Sequence, residues 1–232
     1  MRIYSIFIIF FCLVFFAVFQ ACVFADELPF YKGEKLSYDV KYKGLKIGKS
    51  ILTFHGEEDL KGRGLYHITF YTAIPTLRDT EELYADKKTF LPIEVHRTIK
   101  KKIGFGDRIK EIYDQDDFVV RIHQKSKLRS RDFSIEKDSP IHNAILLSYY
   151  YRTHDRFSKG DRFKVTLPTI DLDVIFNGIE TLDTSIGTYQ AYTFTSNPPK
   201  FKLWLSSDEK RIPLKIENPG TLGYSLEIKS ME

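Results

Sequence analysis

The chain has 232 residues, of which 43% are hydrophobic and 15% aromatic, a length that suffices for one or at most two globular domains. Its 35 Lys and Arg residues face 31 Asp and Glu residues, which gives a formal net charge of +4. A nucleic-acid-binding protein would carry a strong basic excess, so this near balance argues against a nucleic-acid partner.

The first 25 residues form an apolar leader. Arg2 gives the leader a short basic start, an apolar run extends from Ile6 to Phe19, and Val23 and Ala25 are the small residues expected before a signal-peptidase site. We predict a secretory signal at 1–25 that is cleaved after Ala25, followed by a single β-rich domain at 26–232. The sequence therefore predicts an exported, periplasmic protein.

Two other fates of the leader stay open, and both would anchor the protein to a membrane. Lipidation at Cys22 is one, although Phe19 and Gln20 fit a lipoprotein signal poorly and only Ala21 fits it. An uncleaved anchor is the other, because the apolar stretch approaches the ~20 residues of a spanning helix. Cleavage after Ala25 would remove Cys12 and Cys22, and the domain would then have no disulfide, cysteine-bound metal or cysteine nucleophile.

Beyond the leader the hydrophobic pattern has a period of two. Leu36, Tyr38 and Val40 alternate with polar residues, which predicts a half-buried strand within 34–42 that connects tightly through 44–48 to a return strand at 50–55. Further strands are predicted at 65–74, 93–103, 108–113, 118–123, 132–135, 162–167, 172–176, 188–195, 201–205, 214–217 and 222–228. This spacing predicts an all-β-dominated fold with an antiparallel, barrel-like or strongly curved sheet.

One segment departs from the strand pattern. Ser139 is a suitable N-cap and Pro140 suits a first helical position, so we predict one helix at about 140–152. Its apolar residues cover more than one narrow stripe, which favours a core helix packed against the sheet. A mobile hydrophobic lid is the alternative.

Catalytic and metal-binding motifs are missing from the sequence. None of the six histidines forms a zinc-type pair, and no G-x-S-x-G motif occurs. The sequence thus predicts no metal and no cofactor, and it gives no support for an enzyme. A hydrolase stays open only through His142 or His154 acting with Asp155 or Asp161.

Basic and aromatic residues supply the candidate ligand contacts. Four alternating basic side chains would share one face if their segment were a continuous strand, and they could then meet anionic lipid head groups or acidic polysaccharide. A solvated, lysine-protected sheet edge is the alternative. The 14 Tyr and 19 Phe residues either fill the barrel or line an apolar cavity. The candidate ligand-binding residues are Lys125, Lys127, Arg129, Arg131, Tyr149 and Trp204.

Several segments together resemble one protein family. They are the stretch FYKGEKLSY at 30–38, Gly44 and Gly48, the segment 138–152 that ends in YYYR, and the stretch 204–214. This set resembles the exported bacterial proteins grouped as domain of unknown function 3108, over about 28–228. The resemblance implies a Gram-negative periplasmic or outer-membrane-associated β protein, and it supplies no catalytic residues.

Three functions follow as hypotheses. The first is a non-enzymatic periplasmic β protein that binds an apolar or amphipathic envelope molecule, either a lipid or a lipid-linked compound. The second is an interaction protein of envelope assembly or polysaccharide export, with an envelope protein as its partner. The third is a hydrolase with an unrecognised site.

Overall fold

The computed structural model of the protein describes residues 28–154, 156–219 and 223–232. In chain order the described strands are β1 (Lys35–Tyr42), β2 (Leu45–Leu60), β3 (Arg63–Ile74), β4 (Leu77–Ala85), β5 (Pro92–Lys101), β6 (Asp107–Asp114), β7 (Val119–Ser126), β8 (Ser130–Glu136), β9 (Arg162–Leu167), β10 (Ile170–Thr184), β11 (Gly187–Asn197), β12 (Lys202–Ser206), β13 (Pro213–Glu217) and β14 (Tyr224–Met231). A short helix, α1 (Leu146–Arg152), lies between β8 and β9.

All of these strands belong to one 14-stranded antiparallel sheet, in the order β8-β7-β6-β5-β4-β3-β2-β1-β14-β13-β12-β11-β10-β9. Strands β1 and β14 pair with each other and join the two halves of the chain. Strands β8 and β9 are the two edges, so the sheet surrounds its core without closing. The predicted fold class, an antiparallel barrel-like or strongly curved sheet with a helix packed against it, is confirmed.

Strand β4 is the one that the hydrophobic pattern does not reveal. Asp79 and Glu81 occupy inward positions, where the register places them opposite Ile99 of β5 and Phe70 of β3, respectively. The register places Glu81 opposite Arg97 of β5, and the two side chains lie 3.4 Å apart. The ion pair between Glu81 and Arg97 therefore occupies core-facing positions, which are more often apolar in this sheet.

The hairpin turns alternate between the two ends of the sheet, because each strand is antiparallel to the next. The turns at 43–44, 75–76, 102–106 and 127–129 share one end, which we call the cleft end. The turns at 61–62, 86–91, 115–118 and 207–212 lie at the opposite end. Lys43 and Gly44 have φ values of 48° and 80°, as a two-residue type I′ hairpin turn requires.

The helix is shorter than the predicted range 140–152, because it begins only at Leu146. The Asn143 side chain accepts a hydrogen bond from the Ile145 N–H at 2.9 Å just before that start. Helix α1 thus covers only the second half of the predicted segment, and the first half consists of a β-bridge at Ile141 and a turn at 144–145.

Tertiary hydrogen bonds explain why the first half is not helical. The Ser139 hydroxyl lies 2.6 Å from the Thr166 hydroxyl, and Ile141 forms a parallel β-bridge with Thr166 of β9. The Gln115 amide donates to the Ile141 carbonyl and accepts from the Ile141 N–H, both at 2.9 Å. These contacts tie the segment to the edge strand and to the β6–β7 turn.

Helix α1 packs inside the curved sheet between two hydrophobic clusters. Leu146 and Tyr149 join the larger cluster, whereas Leu147 and Tyr151 join the smaller one. Six of its seven residues are buried, so the prediction of a core helix is confirmed and the lid alternative is wrong. At the level of the helix the interior is filled by the protein's own side chains.

A buried ion pair fixes the end of the helix to the segment that precedes β1. Arg152 donates to both carboxylate oxygens of Glu34, at 2.6 and 2.8 Å, and the two side chains are 0% and 3% exposed. Arg152 also donates to the carbonyls of Lys210 and Pro29, at 3.1 and 3.0 Å, and its guanidinium lies 4.8 Å from the Phe30 ring centroid. The charge is therefore buried with nearly complete compensation.

Candidate functional site

A cleft of about 910 Å³ opens at the cleft end of the sheet. Strands β1 to β5 and β14 contribute its walls, mainly through the face opposite the hydrophobic core. Successive side chains of a strand point to opposite faces, so Lys49 and Ile51 of β2 line the cleft while Leu52 and Phe54 enter the core. A single sheet thus carries a packed core on one face and an open cleft on the other.

Aliphatic side chains form one part of the cleft lining. They are Ile47, Ile51, Ala73, Ile74 and Leu77, together with Pro75. A Cβ atom added at Gly48 would lie 2.2 Å from the Ala73 carbonyl oxygen, which shows that β2 and β3 approach closely here. Glycine at position 48 is therefore required for the shape of this part of the cleft.

Cationic side chains form the other part of the lining. Seven basic residues line the cleft beside the single carboxylate of Asp39, and they are Lys46, Lys49, Arg78, Lys100, Lys101, Lys102 and Lys229. Asp39 lies 2.6 Å from the Lys46 ammonium, and this hydrogen bond raises the pKa of Lys46. Lys101 pairs with Asp107 at 3.2 Å.

The other cations of the cleft lack comparable partners. Within the part of the chain that the structure describes, no carboxylate lies within 4.0 Å of Lys49, Arg78, Lys100 or Lys102. All four residues are exposed. The cleft therefore concentrates uncompensated positive charge beside an aliphatic surface, which suits a ligand that is both anionic and apolar.

The four alternating basic residues do not share one strand face. Strand β7 ends at Ser126 and β8 begins at Ser130, so Lys127 and Arg129 lie in a turn between them. Lys125 is exposed on β7 opposite Ser130, whereas Arg131 pairs with Gln124 in the register. The register thus places Lys125 and Arg131 on opposite faces of the sheet, so the condition of one continuous strand, under which all four would share a face, is not met.

Part of this basic group still lines a depression. Arg129 and Arg131 line a second cleft of about 320 Å³ with Asp107, Gln124, Ser126 and Leu128. The Lys127 ammonium lies 5.1 Å from the Phe105 ring centroid, so the β7–β8 turn contacts the β5–β6 turn. Ligand binding by these residues stays a prediction.

Tyr149 and Trp204 lie in the larger hydrophobic cluster instead of a cleft. The Tyr149 ring packs 5.0 Å from Phe30 and 5.8 Å from Phe54. The Trp204 indole N–H donates to Glu180, and the Lys202 ammonium lies 4.2 Å above its ring. Both aromatic residues contribute to packing, and their role in ligand binding stays a prediction.

The hydrolase candidates make structural contacts. The backbone N–H of His142 donates to the Thr166 carbonyl at 2.7 Å. Burial lowers the pKa of the His142 side chain. His154 stacks on Phe157, with ring centroids 5.7 Å apart, and Asp161 accepts the Ser158 N–H at 2.7 Å.

Asp155 lies outside the described residues, as do Cys22 and Ala25 of the leader. Among residues 28–154, 156–219 and 223–232, no group of three or more His, Cys, Asp or Glu side chains could hold a metal ion. No helix in these same ranges is long and apolar enough to cross a membrane.

A charged cluster on the core-facing side of β4 to β6 escapes the sequence reasoning. Arg97 donates to both carboxylate oxygens of Asp79, from Nε at 3.1 Å, and lies 3.4 Å from Glu81. Burial raises the pKa of Glu81 to about 7, with Arg97 opposing the shift and the Asp79 and Glu111 carboxylates adding to it. Tyr113 donates a hydrogen bond to Glu111.

Most of the basic cleft also escapes the sequence reasoning. Its cations come from residues as far apart as 46 and 229, and only the run 100–102 is visible as a local charge cluster. The available signal is topological, because alternate turns of an antiparallel meander share one end. A strand count that omits β4 would assign every later turn to the wrong end of the sheet.

Comparisons with known proteins agree with the fold. A β-barrel-like protein of domain of unknown function DUF1849 from Brucella abortus is similar over 87% of this chain and 97% of its own, at 8% identity and a TM-score of 0.54. Two weaker similarities have TM-scores of 0.31 and 0.32. The first is to an exported-protein candidate with a YmcC-like fold from Bacteroides fragilis, at 8% identity over 88% of this chain and 98% of its own. The second is to a lipoprotein candidate from Parabacteroides distasonis, at 10% identity over 87% of this chain and 96% of its own.

No curated protein matches the chain significantly. The sequence profile of the family described as "Protein of unknown function (DUF3108)" matches residues 37–229, which is most of the chain and includes every residue that lines the basic cleft except Ser230. This match confirms the resemblance found in the sequence. The chain belongs to the DUF3108 family.

Proposed function

We propose that the protein is an exported, non-enzymatic binding protein that holds an amphipathic envelope molecule with an anionic head group in the basic cleft. One observation carries the proposal: Lys49, Arg78, Lys100 and Lys102 surround an aliphatic surface and lack carboxylate partners within 4.0 Å in the described chain. An anionic head group would meet these cations, and an acyl or prenyl chain would cover Ile51 and its aliphatic neighbours.

The size of the cleft supports a ligand of this class. Its volume of about 910 Å³ falls in the range of about 300–1,000 Å³ that is usual for small-molecule sites. The packed interior around α1 argues against cargo inside the sheet, because aromatic side chains occupy that space. The cleft is thus the better location for the amphipathic ligand that the sequence predicts.

Titration calorimetry with dihexanoyl phosphatidic acid tests the proposal. We expect the full chain to bind this short-chain lipid more tightly than inorganic phosphate, which lacks acyl chains, or dihexanoyl phosphatidylcholine, which lacks net negative charge. Lys49→Gln and Arg78→Gln should each weaken binding about tenfold, since each removes a charge-assisted hydrogen bond.

Two exposed lysines at other sites, Lys88 and Lys159, provide a matched control. The double variant Lys88→Gln, Lys159→Gln loses the same kind of charge without touching the cleft, so its affinity should equal that of the parent. Equal losses in control and cleft variants, or no binding of the anionic lipid at all, would refute cleft binding.

Export is part of the proposal, and the apolar leader with its small residues before Asp26 supports it. Mass spectrometry of the N-terminus of the protein taken from cells separates the three fates. A mature chain that starts at Asp26 indicates cleavage after Ala25, whereas a diacyl modification on Cys22 indicates a lipoprotein. An intact leader on the protein outside the cytoplasm indicates an anchor.

A second candidate function is docking of an envelope protein on the β8 edge. In the described chain β8 pairs only with β7, its residues from Ser130 to Ser134 are exposed, and Phe133 is 46% exposed. Open edges with exposed apolar residues are sites of strand addition.

Crosslinking in cells tests this second candidate. A photo-crosslinker at Phe133 should capture one specific envelope protein if β8 is a docking edge. Neutralising Lys125, Lys127, Arg129 and Arg131 should then abolish the crosslink, whereas a crosslinker at Ile179 of β10 should capture no such partner. A crosslink that survives this neutralisation would contradict charge-guided docking.

A further inference from the structure

Exposed apolar side chains cluster on the hairpin turns of the cleft end. Ile103 is 89% exposed, Leu128 is 78% exposed, and Leu45 is 74% exposed, while Phe105 is 45% exposed. Single exposed residues of this kind are ordinary, but here three hairpins of one sheet end each present at least one. The turns at 61–62, 86–91, 115–118 and 207–212, at the opposite end, carry no exposed large hydrophobic side chain.

The hairpins that carry these residues form one continuous surface. The Lys102 N–H donates to the Thr76 carbonyl at 2.9 Å, which joins the β5–β6 turn to the β3–β4 turn. The Lys127 ammonium lies 5.1 Å from the Phe105 ring centroid, which joins the β7–β8 turn to the β5–β6 turn. Residues of the first hairpin share the walls of the basic cleft with Lys100 to Lys102.

Basic residues lie beside every apolar residue of this surface. We define the tip surface as Leu45, Ile103, Phe105 and Leu128 together with Lys43, Lys102, Lys127 and Arg129. No acidic residue occurs in the turns 43–44, 75–76, 102–106 and 127–129. The opposite end differs in charge, because its turns balance five acidic residues, Asp86, Asp116, Asp117, Asp208 and Glu209, against five basic ones, Lys61, Lys87, Lys88, Lys210 and Arg211.

We infer that the tip surface docks the protein on the surface of an anionic lipid bilayer. Apolar side chains on narrow hairpin turns reach the interfacial region of a membrane, while flanking lysines and arginines meet lipid phosphates. A protein partner would be expected to require a broader, complementary surface than separate hairpin turns. This inference deepens the proposed function, because docking would place the mouth of the basic cleft beside the lipid surface. Apart from Lys102, which also lines the cleft, it rests on residues outside the cleft.

Vesicle co-sedimentation of the full chain tests the inference. The probes are vesicles of phosphatidylcholine alone and vesicles of phosphatidylcholine mixed with phosphatidylglycerol. The double variant Lys127→Gln, Arg129→Gln should partition about 25-fold more weakly onto the anionic vesicles, because each lost charge weakens partitioning about fivefold. The double variant Ile103→Ser, Leu128→Ser should partition at least about tenfold more weakly.

Matched controls use sites outside the tip surface. Ile179, which is 58% exposed on β10, supplies the apolar control Ile179→Ser, and Lys88→Gln with Lys159→Gln supplies the charge control. Both controls keep the leader and should partition like the parent. All substituted positions are exposed, and equal thermal unfolding midpoints verify that each variant is folded.

Salt provides a measurement that needs no variant. Partitioning of the parent onto anionic vesicles should fall steeply as the Debye length drops to about 3 Å at 1 M salt, while any contribution of the apolar leader persists. Tip variants that partition like the parent, or controls that lose as much, would overturn membrane docking. Loss of short-chain lipid binding in the cleft variants with intact vesicle binding would separate the cleft from the tip surface.

Discussion

Among single residues, Arg152 and Glu34 illustrate how a buried ion pair can connect segments that are distant in the chain. The guanidinium of Arg152 satisfies the Glu34 carboxylate and two backbone carbonyls, so it connects α1, the segment before β1 and the β12–β13 connection. A buried pair of this kind gains little net stability over an apolar replacement, but removing one partner leaves the other charge unpaired.

We therefore expect Arg152→Met to lower the free energy of unfolding by about 3–5 kcal/mol in urea denaturation. The matched control is Lys41→Met, which breaks an ion pair with Glu227 in which each side chain is about 30% exposed. The control should cost less than about 1 kcal/mol. Similar losses for the two variants would contradict the tying role of Arg152.

Glu81 makes the stability of the fold depend on pH. Its folded-state pKa of about 7 lies above its ordinary value of 4.5, mainly because of burial. The protonated form is thus favoured by folding, and this stabilisation is complete below pH 4.5 and is lost as the pH rises through 7. Ionised Glu81 costs up to about 3 kcal/mol above that window.

Glu81→Gln should raise the free energy of unfolding at about pH 8 and change it little at about pH 4, because the amide stays neutral. Arg97 retains its three hydrogen bonds to Asp79 in this variant. Chemical denaturation at both pH values measures the effect, with Glu82→Gln on the outward face of β4 as the control. A gain of the same size at both pH values would show that Glu81 titrates normally.

At the level of secondary-structure elements, alternation was sufficient to predict most strands but not β4 or the start of α1. The segment 162–167 has the predicted bounds because its neighbours on β10 continue the same alternation. Strand β4 escapes because Asp79 and Glu81 find their partner on β5, which local sequence does not show. The segment 139–142 has helix-start residues, yet hydrogen bonds to Gln115 and Thr166 hold it extended.

At the scale of the whole molecule, the composition gives the total charge but not where the charges lie in the fold. The chain carries a net charge of only +4, but four cations without carboxylate partners, Lys49, Arg78, Lys100 and Lys102, gather at one end of the sheet, where alternate hairpins meet. Sequence reasoning named Lys125, Lys127, Arg129 and Arg131, which lie at that end, and missed Lys49 and Arg78. The reason is topological, since these residues become neighbours only after each strand has been paired correctly.

Nitrogen-15 chemical-shift mapping during titration of the isotope-labelled full chain with dihexanoyl phosphatidic acid tests cleft binding most directly. We predict saturable shifts at the backbone amides of Gly48, Lys49, Ala73, Arg78 and Lys100, all on cleft strands, and no comparable shifts at the opposite-end turns 61–62 and 115–118. Shifts confined to the core around Tyr149, or no saturable shifts at the cleft, would contradict the claim that this cleft binds an amphipathic anion.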